Sequence, residues 1–302
     1  MQNRGDVLYN TGMRRLYDSR TFSVSTNADC DVGFSRLAAS GIFAMGADYS
    51  LSGEPCLLPD CESDYDSVSE AVTSGTILER KNPTQADYEE FFDELFETGV
   101  RTLVHISAGS EIADDYAAAV KASKNEMVKF PRCQLYVVDS HAFSAGLAPT
   151  LYAAIKMRDE GLDGAEAFVK LTALAENART YFIPSDCEQT RARFPVGFYG
   201  RTLNVRPVCS FASKNKLAVL SRPRGNATSR AALARLAADA AVTEAFVSYG
   251  YDTDSAVALK HRLEELSPGV KVELNRTGLL ADCLIGGDAL VLGFIAPPTA
   301  ND

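Results

Sequence analysis

The chain has 302 residues, of which 46% are hydrophobic, so it can build a sizeable core, and this composition excludes an intrinsically disordered protein. Its net charge of −10 and its pI near 4.9 argue against nonspecific binding to nucleic acid or to an anionic membrane. We therefore expect no nucleic-acid partner.

We find neither a membrane-spanning segment nor a signal peptide in the sequence. No run approaches the roughly 18 apolar residues of a membrane span. The N-terminus "MQNRGDVLYNTGMRRLYDSR" lacks the apolar stretch of a signal peptide. The seven cysteines are scattered without CxxC pairs, which is typical of reduced thiols in a cytosolic protein. We expect a cytoplasmic protein with no integral membrane segment.

Apolar runs alternate with amphipathic segments through the first half of the chain. The third helix has clear end signals, since Thr84 with Asp87 forms a variant capping box and Gly99 is a helix terminator. Strands are predicted at 22–26, 41–51, 101–107 and 134–140, and helices at 31–40, 60–72, 84–99, 112–127, 144–160 and 165–178.

This alternation predicts an α/β domain with a largely parallel sheet over residues 22–178, preceded by an N-terminal extension over 1–21. Such sheets bind ligands beyond the carboxyl ends of their strands. Small polar residues fall at three of those ends, at 25–26, 107–110 and 139–140.

The texture changes after residue 178, where turn-rich, basic and strand-like segments begin. Helices at 227–240 and 253–266 alternate with strands at 244–250 and 270–275, and a last apolar run follows at 289–295. We expect a second, α+β domain over residues 179–302.

The common catalytic signatures are missing: there is no G-x-S-x-G, no G-x-x-x-x-G-K-[ST] and no G-x-G-x-x-G. His105 lies inside an apolar strand and is expected to be a packed, hydrogen-bonded core residue. His261 lies on a polar helix face, and His141 follows a strand end without an obvious partner. We predict no catalytic residue, no metal site and no cofactor.

The segment "GSEIADDYAAA" (109–119) follows a predicted strand and leads into an Ala-rich helix, so Ser110 is placed near a helix N-terminus. Backbone N–H groups there have no partner inside the helix and attract anions. Two interpretations are open: Ser110 is a helix cap and nothing more, or its hydroxyl holds the acidic end of a ligand.

The order of these segments resembles the DegV family of fatty-acid-binding proteins, whose fold is shared with dihydroxyacetone kinase domains. The frame S-S-x-L-S-G-T-Y-x-x-A fits "GSEIADDYAAA", with Ser110 as the second Ser and Gly109 replacing the first. "VSTNADCDVGF" (24–34) takes the place of the family's D-S-[ST]-x-D-L, and "RKNPTQADYEEFF" (80–92) that of T-S-Q-P-S. "VVDSHAFSAGLAPTLYAA" (137–154) is close to the family's V-x-D-S strand and helix.

The second half matches the family in the order and spacing of its segments more than in the identity of its residues. "LNVRPVCSFASKNKLAVLSRPRG" (203–225) resembles L-N-I-K-P-I-L followed by K-x-R, with Arg206 at the Lys position. "GGDALVLGF" (286–294) matches the frame of H-T-G-P-G-A-L-G-x-G-F, but Leu284 stands at the His position. The resemblance implies a two-domain DegV-like (EDD-type) α/β fold.

The resemblance also implies one long-chain fatty acid bound between the domains, its acyl chain in an apolar tunnel and its carboxylate held by hydroxyls. Ser110 remains as the donor candidate. Arg80, which replaces a Thr, either grips the carboxylate in a guanidinium fork or points to solvent in a changed site. The ligand-binding candidates are Ser110, Arg80, Gly109, Thr26, Asn27 and Asn82.

Some members of the family carry the lipid for a separate ATP-binding fatty acid kinase subunit, so such a partner is implied here. Leu284 weakens that implication because it cannot donate to a phosphate. Arg206, Arg222 and Arg224 are candidates for contacting a phosphate or the partner. We expect a lipid-binding protein rather than an enzyme. The alternatives are a sensor or enzyme for a non-lipid anion on the same fold, and an interaction subunit with a vestigial site.

Overall fold

We describe the chain from a computed structural model, which covers residues 21–56, 62–185, 204–213 and 216–297. Nearly all of the expected N-terminal extension lies outside the described residues. Within them, no helix is long and apolar enough to cross a membrane.

The strands, in chain order, are β1 Ser23–Asn27, β2 Ile42–Met45, β3 Asp48–Leu51, β4 Glu54–Cys56, β5 Leu78–Lys81, β6 Thr102–Ser107, β7 Gln134–Asp139, β8 Ala178–Ile183, β9 Val208–Ser213, β10 Lys216–Ser221, β11 Glu244–Tyr249, β12 Lys271–Arg276 and β13 Leu290–Ile295. The helices are α1 Phe34–Ala39, α2 Glu62–Thr73, α3 Gln85–Glu97, α4 Asp115–Lys129, α5 Ala148–Asp159, α6 Gly164–Ala175, α7 Asn226–Asp239, α8 Thr253–Leu266 and α9 Leu279–Ile285, with a 3₁₀ turn at Ser144–Gly146.

The first sheet is parallel throughout, in the order β2-β1-β6-β7. Residues of β6 alternate between its two faces: Leu103 packs with α3 and α4, whereas Val104 and Ile106 pack with α5 and α6. The sheet is therefore covered by helices on both faces, and the expected parallel α/β fold is confirmed.

The second sheet has the order β10-β9-β8-β13-β11-β12 and is antiparallel except between β11 and β12. Helices α7 and α8 pack on it through Leu233, Leu259 and Leu263. It includes the strands from 178 onwards, and the residue where the chain composition changes is the first residue of β8. This mixed sheet with helices agrees with the expected α+β character of the second half.

The 3₁₀ turn and α5 lie between the two sheets. A Cβ on Gly293 of β13 would lie 2.2 Å from the carbonyl oxygen of Ala145, so only glycine permits this approach. Phe143, Phe182 and Phe211 contact one another beside the turn, with ring centroids 5.3–5.7 Å apart. Within the described ranges this part of the seam is filled with aromatic side chains.

A small antiparallel sheet, β4-β3-β5, accompanies the first sheet. It packs against α2 and α9 through a cluster that includes Tyr49, Val72, Leu78 and Leu279. Helix α9 comes from the second half of the chain, so this cluster joins the two halves and fixes the position of β5.

Several elements differ from the sequence predictions. The single strand expected at 41–51 is two strands, β2 and β3, which belong to different sheets. The helix expected at 144–160 begins as a 3₁₀ turn, with Ser144 at φ 52°. Strand β8 and helix α9 were not predicted.

Candidate functional site

The carboxyl edge of the first sheet brings together the loops that follow β6 and β7. The N–H of Gly109 donates to the carbonyl of Ala142 over 2.8 Å, which ties one loop to the other. A Cβ at Gly109 would lie 2.7 Å from the amide nitrogen of Ala142, so this position requires glycine. The polar strand ends noted in the sequence at 107–110 and 139–140 therefore lie next to one another, and most of their residues are buried.

Ser110 lies in the loop before α4, and it is not the cap of that helix. Helix α4 begins at Asp115 with Asp114 as its N-cap residue, so the capping interpretation of Ser110 is wrong. The Ser110 N–H donates to Asp139 over 3.0 Å, and its hydroxyl lies 3.4 Å from a carboxylate oxygen of Glu111. The side chain is half-buried at the sheet edge.

Arg80, on β5, is buried, with 4% of its side chain exposed, so it does not point to solvent. It grips Asp115 in a two-pronged contact of 2.8 and 2.9 Å. Its remaining donors reach Tyr49 at 3.1 Å and Asn82 at 3.0 Å, and Asp29 lies 3.5 Å from Nη2. The guanidinium fork proposed for a ligand carboxylate is thus directed at a carboxylate of the protein.

Asp115 is the centre of a buried polar network at the start of α4. Besides Arg80, it accepts hydrogen bonds from Asn27 at 2.9 Å and from Tyr88 at 3.2 Å. The carbonyl oxygen of the Asn27 side chain accepts from the N–H of Ala108 over 2.8 Å, which links this network to the loop after β6. A fully buried charge with several partners holds its neighbours in one arrangement.

Burial affects the pKa values of two charged groups in this network, Asp29 and Arg80. Desolvation raises the pKa of Asp29 and outweighs the opposing charge of Arg80. Burial lowers the affinity of Arg80 for its proton, but Tyr49 and Asp115 favour the charged form and leave its pKa raised. The guanidinium therefore carries a permanent charge, whereas Asp29 has a strengthened tendency to be neutral.

The structure brings some of the predicted site residues together and separates others. Arg80, Asn27 and Asn82 surround Asp115 or its neighbours. Gly109 and Ser110 lie in the adjoining loop. Thr26 is buried within β1, where its hydroxyl donates to the carbonyl of Ile106 over 2.8 Å.

His141, Glu111 and Asp139 form a cluster that the sequence analysis missed. The imidazole Nδ1 of His141 lies 3.0 and 3.3 Å from the two carboxylate oxygens of Glu111 and 3.8 Å from Asp139. His141 therefore has carboxylate partners that were not obvious from the sequence. The signal was available, because Asp139 ends β7 and the loop holding Glu111 follows β6, and adjacent parallel strands end at the same edge.

The other histidines are where the sequence placed them. His105 is fully buried, and its Nδ1 lies 2.9 Å from the hydroxyl of Ser25. Burial lowers the pKa of His105 to about 3, so it is neutral. His261 is 70% exposed on α8. The predictions for both side chains are confirmed.

The basic candidates of the second half lie near one another. Val205 bridges to Arg224, and the N–H of Arg206 donates to the carbonyl of Pro223 over 3.0 Å. Arg222 and Arg224 are exposed. Leu284, which stands where the family has His, is 5% exposed and belongs to the core between the halves.

A groove of about 570 Å³ opens between α5 and the second sheet. Its volume falls within the roughly 300–1,000 Å³ that is usual for small-molecule sites. Tyr152 and Phe246, which both line it, stack with ring centroids 5.5 Å apart. Its lining includes Pro149, Tyr152, Phe246 and Ile295 as apolar residues and Lys156 and Glu273 as charged ones.

Comparisons with known proteins give a consistent result. A family model described as "Uncharacterised protein, DegV family" matches residues 21–296. A search of curated proteins gives no match to the chain.

Solved structures with this fold include the fatty acid kinase B3 protein of Streptococcus pneumoniae loaded with linoleic acid. It is 16% identical, with a TM-score of 0.78, and the alignment covers 92% of this chain and 100% of that one. A fatty-acid-binding DegV protein from Thermus thermophilus is 19% identical, with a TM-score of 0.76 and the same coverage of 92% and 100%. A stearic-acid-binding protein from Eubacterium ventriosum is 18% identical, with a TM-score of 0.76 and coverage of 91% and 98%.

At these identities the solved structures establish the fold, and the family model extends over all three sheets. The chain belongs to the DegV family.

Proposed function

We propose that this protein binds a long-chain fatty acid, or a similar acidic amphiphile, at the seam between its two large sheets. The observation that carries this proposal is the end-to-end match with a relative whose structure is loaded with linoleic acid. Each buried methylene contributes about 0.8 kcal/mol, so a long acyl chain supplies the binding free energy by itself. The protein would then be a carrier of the lipid and not an enzyme.

The head group belongs, in this proposal, at the carboxyl edge of the first sheet. Ser110 is the donor there whose side chain is half-buried and not enclosed by the core. Arg80 can take the role expected from the sequence only if Asp115 releases it, because Asp115 occupies the fork at 2.8 and 2.9 Å. We therefore assign the first contact to Ser110, whose hydroxyl would turn from the Glu111 carboxylate oxygen 3.4 Å away to the ligand, and give Arg80 the role of positioning Asp115 and Asn82.

The acyl chain requires an apolar surface, and we assign it to the groove along α5, whose lining is partly apolar and also includes Lys156, Glu244 and Glu273. Its lining comes from both halves of the chain, with Tyr152 from the first and Phe246 from the second. Ala153 is also in the lining and is half-buried, so a larger side chain at this position would fill the groove without entering the core.

The test is extraction of lipid from the purified full-length protein, followed by mass spectrometry and a binding titration with a fluorescent fatty acid. The proposal expects a stoichiometric fatty acid that Ser110→Ala weakens several-fold. Ser123→Ala is the matched control, because that hydroxyl lies along α4 and donates to the carbonyl of Val120. Absence of any acyl ligand, together with no binding of added fatty acid, would refute the proposal.

Ala153→Trp separates the position of the acyl chain from that of the head group. Loss of binding in this variant supports the groove. If Ala153→Trp abolishes binding and Ser110→Ala does not change it, the lipid lies in the groove and its carboxylate is held elsewhere, with Lys156 as the lining cation.

We further propose that the lipid is presented to a separate ATP-binding kinase subunit, as the name of the Streptococcus pneumoniae relative suggests for that protein. Arg222 and Arg224 are exposed and adjacent to Arg206, which suits contact with a phosphate or a partner. Replacing both exposed arginines by Ala should reduce acyl-phosphate formation with such a subunit. Arg262→Ala, at an exposed arginine paired with Glu265 on α8, is the control.

One observation favours a second candidate function: the guanidinium of Arg80 already pairs with a carboxylate of the protein, Asp115. Because Asp115 already pairs with Arg80, the guanidinium is not available to bind a ligand carboxylate in the simple way that the sequence suggested. A sensor or enzyme for a small non-lipid anion would show no co-purified lipid but a thermal shift with small anions, and the same measurements therefore distinguish the two.

A further inference from the structure

Three metal-ligand side chains converge at the carboxyl edge of the first sheet. They are Glu111 from the loop after β6, and Asp139 and His141 from the end of β7 and the loop after it. Each offers one donor atom, and the three donor atoms lie within 4.8 Å of one another. The set combines an imidazole nitrogen with two carboxylates, and it is therefore more specific than a surface cluster of acids.

The distances fit a small divalent cation. Zinc binds histidine nitrogen at about 2.0–2.1 Å and carboxylate oxygen at about 2.0–2.2 Å in tetrahedral geometry, so neighbouring ligand atoms lie about 3.3–3.5 Å apart. Nδ1 of His141 is 3.0 and 3.3 Å from the Glu111 oxygens and 3.8 Å from Asp139 Oδ1. These separations from the imidazole nitrogen bracket the tetrahedral value, and all three donor atoms lie within 4.8 Å of one another.

Two backbone N–H groups hold the side chain of Asp139 in place without a metal ion. Its Oδ1 accepts hydrogen bonds from the N–H of Ser110 at 3.0 Å and from the N–H of His141 at 3.1 Å. The aspartate is only 13% exposed, whereas Glu111 and His141 are 42% and 37% exposed. The site thus has one rigid ligand and two that can close on an ion, and outer hydrogen bonds of this kind orient metal ligands.

The charge balance also favours a cation. Among the described residues, the cationic group in ion-pair distance of Glu111 and Asp139 is His141 itself. Two carboxylates that face one imidazole leave net negative charge when that ring is neutral, which is the state that a metal requires.

We propose that Glu111, Asp139 and His141 bind a divalent transition-metal ion such as Zn²⁺. Three protein ligands leave a fourth position open to water or to an oxygen of a bound ligand. A mixed nitrogen and oxygen donor set favours zinc over magnesium, which prefers oxygen ligands alone. The proposal does not rest on lipid binding, although Ser110, the proposed head-group donor, contacts both Asp139 and Glu111.

Zn²⁺ titrated into the metal-free full-length protein by calorimetry, with reductant present, tests this site. We expect one site per chain with micromolar or tighter affinity, weakened at least tenfold in His141→Ala and in Glu111→Gln. His261→Ala is the matched control, because His261 is also exposed and has one carboxylate, Glu264, at 3.6 Å. It should bind zinc as the wild type does.

The variants are surface changes, and circular dichroism with a thermal melt checks that they fold. Co²⁺ substitution identifies the donors, because cysteine thiolate ligation gives an intense near-ultraviolet band that a nitrogen and oxygen site lacks. Equal affinity of the wild type, His141→Ala and Glu111→Gln would overturn the proposal. So would a thiolate band, or the absence of saturable binding in the wild type.

Discussion

The Arg80–Asp115 pair offers a sharp test of how the site is held together. Arg80→Met removes the guanidinium but keeps most of the side-chain length, and it leaves the carboxylates of Asp115 and Asp29 without their cation. Both members of the pair are buried, with 4% and 0% of their side chains exposed. Removing one partner of a buried pair costs about 3–5 kcal/mol, because the other charge remains without compensation.

The structure places the expected cost near the lower end of that range. Asp115 still accepts hydrogen bonds from Asn27 and Tyr88 after the change, so part of its desolvation is offset. We expect a loss of about 3 kcal/mol, which is a fall in Tm of roughly 6–12 °C at about 2–4 °C per kcal/mol.

Lys81→Met is the matched control one residue further along β5. Its pair with Asp48 spans 3.5 Å, but the two side chains are 66% and 44% exposed. Exposed pairs contribute about 0–1 kcal/mol. Urea denaturation and thermal melts of the three proteins measure the difference.

The pH dependence of the loss gives a second readout. The pKa of Asp29 is already raised by burial, and loss of the opposing charge of Arg80 would raise it further. A carboxyl whose pKa is higher in the folded than in the unfolded state lowers the stability of the folded protein as the pH rises. Arg80→Met should therefore be more destabilising at pH 7 than at pH 5. Equal losses in Arg80→Met and Lys81→Met would refute the structural role of the buried pair.

Three further predictions test the packing, the caps and the buried acids. Gly293→Ala should cost about 1–3 kcal/mol, because its Cβ would lie 2.2 Å from the carbonyl oxygen of Ala145. Gly33→Ala, with nothing within 4 Å, should cost less than about 1 kcal/mol, and equal urea midpoints for the two variants would contradict this packing. Thr84→Ala removes the hydroxyl that accepts from the N–H of Asp87, while the backbone N–H of residue 84 still donates to the Asp87 carboxylate. It should cost about 0.5–2 kcal/mol in the same assay, whereas an unchanged midpoint would argue against the cap. Burial raises the pKa of Asp31 from 3.8 to about 7, so this group lowers stability as pH rises from about 4 to about 7. Asp31→Asn should flatten that slope between pH 5 and pH 7.5, and an unchanged slope would show that another group is responsible.

The elements with local signals were predictable. The capping box of Thr84 and Asp87 is present in full, and Gly99 ends the same helix at φ 111°. The strands β6 and β7 were recognised from their apolar runs. In each case the signal depends on neighbouring residues alone, through a side chain that bonds the adjacent backbone or a glycine in the left-handed region.

The missed elements lacked such signals. All seven residues of α9 are buried, so its sequence has no polar face to give a helical period. Strands β2 and β3 are separated by two residues and belong to different sheets, and a continuous apolar run cannot reveal which sheet a strand joins.

The sequence predicted which strand ends carry polar residues, but it did not predict the partners of those residues. Polar strand ends at the carboxyl edge were expected, and the loops holding Ser110 and Asp139 are tied together there. The partner of Arg80 was not expected, because Asp115 is 35 residues away in the sequence. The contact between Glu111 and His141 was not expected either, because the two residues are 30 positions apart in the sequence.

The sequence by itself determined the alternation of strands and helices, the family frame and the edge of the sheet where polar groups collect, since these depend on local periodicity and on the shared direction of parallel strands. Only the tertiary structure decided that Asp115 pairs with the guanidinium of Arg80 and that Glu111, Asp139 and His141 meet at the carboxyl edge of the first sheet. Contacts of this kind form between residues that are distant in sequence, and their distances are set by how the sheets, loops and helices pack.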